Sequence, residues 1–484
     1  MSFRELAHQY IDGEWLTGNG SWDIIDFNPY NGEKLCSVTV ATADEVDLAY
    51  RAAERAQREW AAAHPHERGR ILSGAERVVA ERADDIVEML IDELGGTRFR
   101  AEYEVRGVRT LLREAAAQAL GAAARLLPAA ADGKENRLYR LPVGVIGVVS
   151  AYNFPFLATM KSVAPALALG NAAVVKPHQN APVAGGTLVA DIFREAGLPA
   201  GLLNVTITDS AEIGDSFIEH PVPKVIVFTG SERVGRHVAA KAAGLFKRTV
   251  LELGGASALV VLDDAEMGHA VRAAVHSRFL YQGQVSLAAN RVLVDRSVAE
   301  EFTGRFTEEV AALTTGDPRD PDVSIGPVIS GFQADAITSL VDEAVAQGAT
   351  ALVRSATRGN LVGPAVLTGL PEDSPLLKQE VFGPLALLVP FDGEDDAVRL
   401  LDRGPGGLSG AVHTADAERG VRFARRTRSG MFHVNEVTGL EDPLDAFGGE
   451  KMSGMGRLNG EAAVDAFTTW RWVSIQHGRT PFPF

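Results

Sequence analysis

A carboxylate at the end of an apolar strand needs a chemical reason, and this chain has one where Leu251-Glu252-Leu253 runs into Gly254-Gly255. Desolvation at such a position disfavours the ionised form and raises the pKa of Glu252 toward the working range of a general base. A hydroxyl stands in the stretch 280–291, LYQGQVSLAANR, as Ser286. An alcohol is a far weaker acid than a thiol, so as a nucleophile it needs a dedicated base. In Ala151-Tyr152-Asn153-Phe154-Pro155 the Asn153 amide is a neutral hydrogen-bond donor just after a strand-like run. An Asx-turn ahead of Pro155 is the plainer reading of the same residue.

Other stretches suit a bound anion. The turn Phe228-Thr229-Gly230-Ser231-Glu232-Arg233-Val234-Gly235 joins an apolar strand to a helical pattern. Glycines there let the backbone approach a ligand, and free N–H groups at the helix start favour a pyrophosphate. The spacing is not GxGxxG, so on spacing alone a bare strand-to-helix turn is an equal reading. Lys176 ends the apolar run Val-Val-Lys-Pro, where its stem is buried and its ammonium exposed. Alone, Glu380-Val381-Phe382-Gly383-Pro384 reads as a surface turn, and the glycine-dense run FGGEKMSGMGR at 447–457 as structural.

These residues must be held by regular elements. Between 138 and 248 strand-like and helical runs alternate, with strands expected at 145–149, 173–175, 203–205, 225–228 and 249–253. That alternation implies a doubly wound parallel sheet binding its ligand at the carboxyl ends of the strands, and Asn153, Lys176, the 229–235 turn and Glu252 all fall at those ends. Residues 9–39 read as short strands or hairpins turning at Asp12-Gly13 and Asn31-Gly32. Thr42 with Glu45 is a capping-box signature. One helix is expected over 68–94, stopped by Gly95-Gly96, and another over the Ala-rich 98–127. A second α/β region runs over 256–433, with a strand at 291–294, helices at 298–312 and 333–347 and a loop at 380–384. The strand 470–476 is followed by a Pro- and Phe-rich tail.

The 484 residues exceed what a single core accommodates, so two or three domains are expected. With 46% hydrophobic and 23% charged residues the chain is an ordinary globular one. A net charge of −16 disfavours nucleic acid and anionic lipid as partners. The single cysteine, Cys36, excludes an intramolecular disulfide and a multi-thiolate metal site, and is read as packing. No secretion signal or membrane span is visible, so the expected location is cytoplasmic.

Residues 280–291 and the Glu252 turn, together with Asn153-Phe154-Pro155, Phe228-Thr229-Gly230-Ser231, the 380–384 loop and the 447–457 run, resemble the aldehyde dehydrogenase superfamily over nearly the whole chain. The carboxyl-terminal third, including MFHVNE at 431–436 and RWVSIQH at 471–477, is most like the aromatic benzaldehyde and vanillin dehydrogenases. The resemblance implies a Rossmann-type NAD(P)-binding domain (1–122 and 143–252), an α/β catalytic domain (253–434), an oligomerisation arm (123–142 and 465–484) and a return segment (435–464). It also implies a homodimer or homotetramer, with the strands 136–142 and 470–476 extending sheets between subunits. Asn153 would hold the oxyanion, while Thr229, Gly230, Ser231, Gly235 and Leu253 would hold the nicotinamide and pyrophosphate. Lys176 and Gln179 would face the adenosine ribose, Glu380 and Phe382 the nicotinamide ribose. Tyr152 and Phe156 would line an apolar tunnel for the aldehyde. Gln179 stands where a glutamate often excludes a 2′-phosphate, so NADP is expected to be tolerated beside NAD.

One residue departs from the pattern. The family carries a cysteine where Ser286 stands, forming a thiohemiacetal and then a thioester that Glu252-activated water hydrolyses. Three explanations are open: an engineered exchange that traps a complex, a natural departure with lost or altered activity, and a serine nucleophile served by Glu252. Rival functions are a cofactor-independent esterase using Ser286 and a non-enzymatic binding protein.

Overall fold

The fold is that of a computed structural model, which describes residues 2–121, 124–479 and 484. Residue 123, the expected start of the arm, and residues 480–483 of the Pro- and Phe-rich tail lie outside the described residues.

Five buried strands make the centre of an eight-stranded sheet in the spatial order Leu203–Val205, Ala172–Lys176, Val145–Val149, Val225–Gly230 and Arg248–Leu253, all parallel. Their centres are mostly Val, Ile, Leu and Ala, and the polar residues Lys176, Thr229 and Glu252 come at or near their carboxyl ends. An amino-terminal hairpin, Gln9–Ile11 with Glu14–Leu16, adds antiparallel strands at one edge, turning through Asp12 and Gly13 as expected. At the other edge Gly454–Met455 pairs antiparallel with Arg248–Leu253, setting Gly454 opposite Glu252. Gly454 has φ +135°, and a side chain there would collide with the Leu251 carbonyl, so only glycine lets this strand lie against the one carrying Glu252.

The expected capping box closes the helix Ala43–Ala62: Thr42 Oγ1 accepts from Glu45 N at 3.3 Å and the Glu45 carboxylate accepts from Thr42 N at 2.9 Å. The single helix expected over 68–94 is two, Pro65–Glu81 and Ala83–Leu94. Arg82 breaks it with φ −107° and ψ 15°, its guanidinium drawn 2.9 Å from both Asp191 and Glu195. Gly95, at φ 68°, ends the second as anticipated. The helix expected to 127 stops at Gly121, and Arg125–Leu127 is a strand paired antiparallel with Lys134–Pro142, where backbone pairing overrides helix propensity.

The second sheet has seven strands, in the order Thr350–Arg354, Ala365–Thr368, Leu385–Phe391, Arg291–Asp295, Ala258–Val261, Gly410–His413 and His433–Val434, parallel except for the first. Its separate apolar clusters lie on opposite faces of these strands. A third, antiparallel sheet joins Thr468–Gln476, Lys134–Pro142 and Arg125–Leu127. The strand around 136–142, expected at an edge, is therefore the middle one, and Thr468–Gln476 is the long edge. Among the described residues no helix is long and apolar enough to cross a membrane. Cys36 is buried, and desolvation beside Asp26 and Glu93 pushes its thiol pKa up, which suits packing.

Candidate active site

A cavity of about 1050 Å³ opens at the carboxyl ends of the first sheet, where the strand order reverses between Val145–Val149 and Val225–Gly230. Asn153, Glu252 and Ser286, distant in sequence, all line it.

Glu252 closes its strand with 7% of its surface exposed. Thr229 Oγ1 donates to Glu252 Oε2 at 3.4 Å, and the Lys161 ammonium lies 3.9 Å from the same oxygen. Glu252 Oε1 is buried without a hydrogen-bond partner among the described residues, free to accept from a water or substrate proton. Burial raises the Glu252 pKa, Lys161 and Thr229 pull it down, and Glu441 adds a further upward push. Lys161 in turn pairs with Glu441 at 2.6 Å and stands 3.4 Å from the Phe447 ring centroid. Sequence reasoning missed this pair. The signal for Lys161 was present, a lone charge in the otherwise apolar helix Pro155–Ala168, whereas Glu441 lies in a polar loop that gives none.

Asn153 precedes that helix, which begins with Pro155 at its first turn. The Asn153 carbonyl accepts from the guanidinium of Arg100, which lies 4.4 Å from the ring centroids of both Phe154 and Tyr281. Arg100 and Glu104, both fully buried, pair at 2.7 Å, and Glu104 also accepts from Leu157 N at 3.0 Å. Tyr281 and Gln282 have φ 50° and 56°, unfavourable conformations in the loop that delivers Ser286. They are held by Tyr281 Oη donating to the Leu94 carbonyl at 3.2 Å and by Gln282 Nε2 donating to those of Gly95, 3.1 Å, and Pro327, 2.7 Å. One buried arginine thus supports both the Asn153 turn and the loop carrying Ser286.

The rest of the cavity is a groove lined by the 229–231 turn, Lys176 and the loop of Glu380. Ser231 caps the helix Glu232–Ala243, its Oγ accepting from Val234 N at 3.4 Å, and leaves the helix start facing the groove. Thr229, Gly230, Leu253, Lys176 and Gln179 line it as expected. Desolvation lowers the Lys176 pKa, with Asp209 pulling it back up. His178, which sequence reasoning passed over, also lines the groove, and burial with Lys176 nearby lowers its pKa to about 4, so it is neutral at physiological pH. Across the groove Glu380 and Phe382 line the wall. The Glu380 carboxylate lies against Gly254, where any side chain would collide with it, and its Oε1 is buried and unpartnered among the described residues. Burial pushes its pKa up to about 7 against the pull of the Gly255 N–H and of Arg278.

Two expected positions lie off the cavity. Phe156 is fully buried in the core beneath the first sheet and does not reach the cavity, because the first turn of its helix points it inward. Gly235 is also off the cavity: a Cβ there would strike the Leu253 side chain, so it is a packing glycine that lets the helix approach its strand. Tyr152 lines the cavity with Asn153, Glu252 and Ser286, its ring 5.2 Å from that of His178 and 5.9 Å from that of Phe382.

The sequence profile of the aldehyde dehydrogenase family matches residues 15–473. The chain belongs to the aldehyde dehydrogenase family. It is 47% identical to a benzaldehyde dehydrogenase of Bacillus subtilis, over all of this chain and 99% of the relative. A vanillin dehydrogenase of Corynebacterium glutamicum is 42% identical, with 98% of each chain covered. The crystal structure of an NAD-dependent benzaldehyde dehydrogenase from Corynebacterium glutamicum superposes with a TM-score of 0.91 at 39% identity, covering 99% of this chain and 98% of that one. The fold is the family's: a Rossmann-type α/β unit, a second α/β unit and a small antiparallel arm.

Proposed function

We propose that the protein oxidises an aromatic aldehyde, of the benzaldehyde or vanillin kind, to its carboxylic acid with NAD or NADP. The observation that carries this reading is the convergence of Asn153, Glu252 and residue 286 on one cavity that continues into the Gly230–Ser231 and Glu380 groove. The benzaldehyde and vanillin activities of the relatives supply the substrate class. The groove fits a dinucleotide: a helix start for the pyrophosphate, a glycine backbone at Gly254, and an unpartnered Glu380 oxygen suited to a ribose hydroxyl. Lys176 and Gln179 would hold the adenosine ribose, Thr229 and Leu253 the nicotinamide end. The chemistry such a cofactor supplies when bound is acceptance of a hydride.

The chain's own residues do the rest. Residue 286 attacks the aldehyde carbon, and the Asn153 amide donates to the oxygen as negative charge develops on it. After oxidation, Glu252 takes a proton from the water that hydrolyses the acyl group on residue 286. A thiol suits this cycle better than a hydroxyl, since its pKa is lower and a thioester leaves more readily than an ester. We read Ser286 as an engineered replacement of a cysteine nucleophile, because the surrounding machinery is intact; this form binds cofactor and aldehyde and turns over poorly. Ser286→Cys, assayed by cofactor reduction with benzaldehyde, should gain on the order of a hundredfold or more; no gain sinks the proposal. Ester hydrolysis without cofactor would instead point to a serine hydrolase.

We infer, further, a cytoplasmic homo-oligomer. The long edge Thr468–Gln476, with Trp470 and Trp472 exposed, supports pairing through the arm. The domain division 1–122 with 143–252, 253–434, 123–142 with 465–484, and 435–464 is retained, the last supported by Gly454–Met455 joining the first sheet.

A further inference from the structure

Arg278, in the last turn of the helix Met267–Phe279, is fully buried and has no carboxylate within ion-pair distance among the described residues. A buried guanidinium is costly unless its donors are used, and here Nη2 is spent on backbone oxygens of two separate loops and Nη1 on Asn290, while Nε has no partner among the described residues. Nη2 donates to the carbonyl of Gly283 at 2.9 Å, three residues before Ser286. It also donates to the carbonyls of Val381, at 3.0 Å, and Gly383, the two neighbours of Phe382. Nη1 donates to Asn290 Oδ1 at 2.7 Å, and Asn290 Nδ2 donates to the Gln379 carbonyl at 3.2 Å, so the same pair reaches the residue before Glu380. Gly283, at φ +71°, is where the loops touch: a Cβ there would strike both Arg278 and the Gly383 carbonyl.

We propose that Arg278 is a positioning residue that fixes the loop carrying Ser286 against the loop carrying Glu380 and Phe382, and so sets the nucleophile in register with the nicotinamide end of the cofactor. A planar fork bridges two loops where a hydrophobic residue of equal volume would fill the space and tie neither. Arg278 touches neither substrate nor cofactor and acts through the two loops.

The inference rests on reading the groove as a dinucleotide site with Glu380 at the nicotinamide ribose. The test compares binding of NAD+ with that of ADP, which lacks the nicotinamide half, by calorimetric titration of the unmodified chain, Arg278→Met and Arg278→Lys. Arg278→Met should weaken NAD+ about tenfold while leaving ADP within about twofold. Arg278→Lys, keeping the charge but offering a point donor, should show the same selective loss at smaller size. A loss shared equally by both ligands, or an unchanged NAD+ to ADP ratio, overturns the positioning role. Should Arg278→Met not fold, the ratio in Arg278→Lys decides alone. Failure of the unmodified chain to bind either ligand overturns the dinucleotide reading itself, and the inference with it.

Discussion

The Lys161 ammonium lies 3.9 Å from Glu252 Oε2 and 2.6 Å from Glu441 Oε1, so Glu252, the proposed general base, shares its buried cation with a second carboxylate. Lys161 lowers the Glu252 pKa and Glu441 raises it, both on top of the larger upward push of burial. Lys161→Met removes the one downward charge and leaves two buried carboxylates facing each other. The Glu252 pKa should rise further. A base works deprotonated, so in the Ser286→Cys form the acidic limb of the pH–rate profile for acid production should move to higher pH. A limb that stays in place would show that Lys161 serves packing alone.

Phe156 tests the correction made to the tunnel. With its ring fully buried in the core, Phe156→Ala should cost about 3–5 kcal/mol of stability. The milder Phe156→Leu should lower Tm, yet leave the KM for benzaldehyde in the Ser286→Cys background unchanged. A large KM effect with no loss of Tm would return Phe156 to the substrate wall.

How much of this was legible in the sequence varies with the residue. The doubly wound sheet was, because buried parallel strands leave short, mostly apolar runs at 145–149, 225–228 and 249–253, alternating with helical stretches. Asn153, Glu252 and Ser286 were readable as types at strand ends and in a distinctive loop, and the fold brings them together. The facing of single side chains was not. Phe156 and Tyr152 flank Asn153 alike in sequence, but a helix start turns one into the core and a cluster of rings turns the other toward Phe382. Arg82 interrupts a helix because of acids 109 and 113 residues away, and Arg278 bridges carbonyls 5 and 105 residues off, which no local pattern encodes.

Glu380 couples the groove to pH. Its pKa rises from 4.5 to about 7 in the folded chain, chiefly through burial. The folded state therefore holds this proton more tightly than the unfolded one, so the residue's contribution to stability declines as pH rises from about 4.5 to about 7. Glu380→Gln removes that loss. Its Tm should match that of the unmodified chain near pH 5 and exceed it at pH 8, by roughly 1–3 kcal/mol in stability. The same variant should bind NAD+ more weakly at pH 8, since a carboxylate accepts ribose hydroxyls better than an amide. Identical Tm values at both pH values would show that the carboxylate is hydrated, not desolvated.

Gln179 and Lys176 line the groove together, on the side proposed for the adenosine ribose. A neutral amide leaves a 2′-phosphate unopposed, so the unmodified chain should bind NADP+ and NAD+ with comparable affinity. Gln179→Glu places a like charge beside the phosphate while leaving an accepting oxygen for a free ribose hydroxyl. NADP+ affinity should fall about tenfold or more, with NAD+ held within about threefold. Because Gln179 is exposed, the loss should shrink as ionic strength rises. Rejection of NADP+ by the unmodified chain itself, by orders of magnitude, would place the discrimination elsewhere in the groove and remove Gln179 from the account.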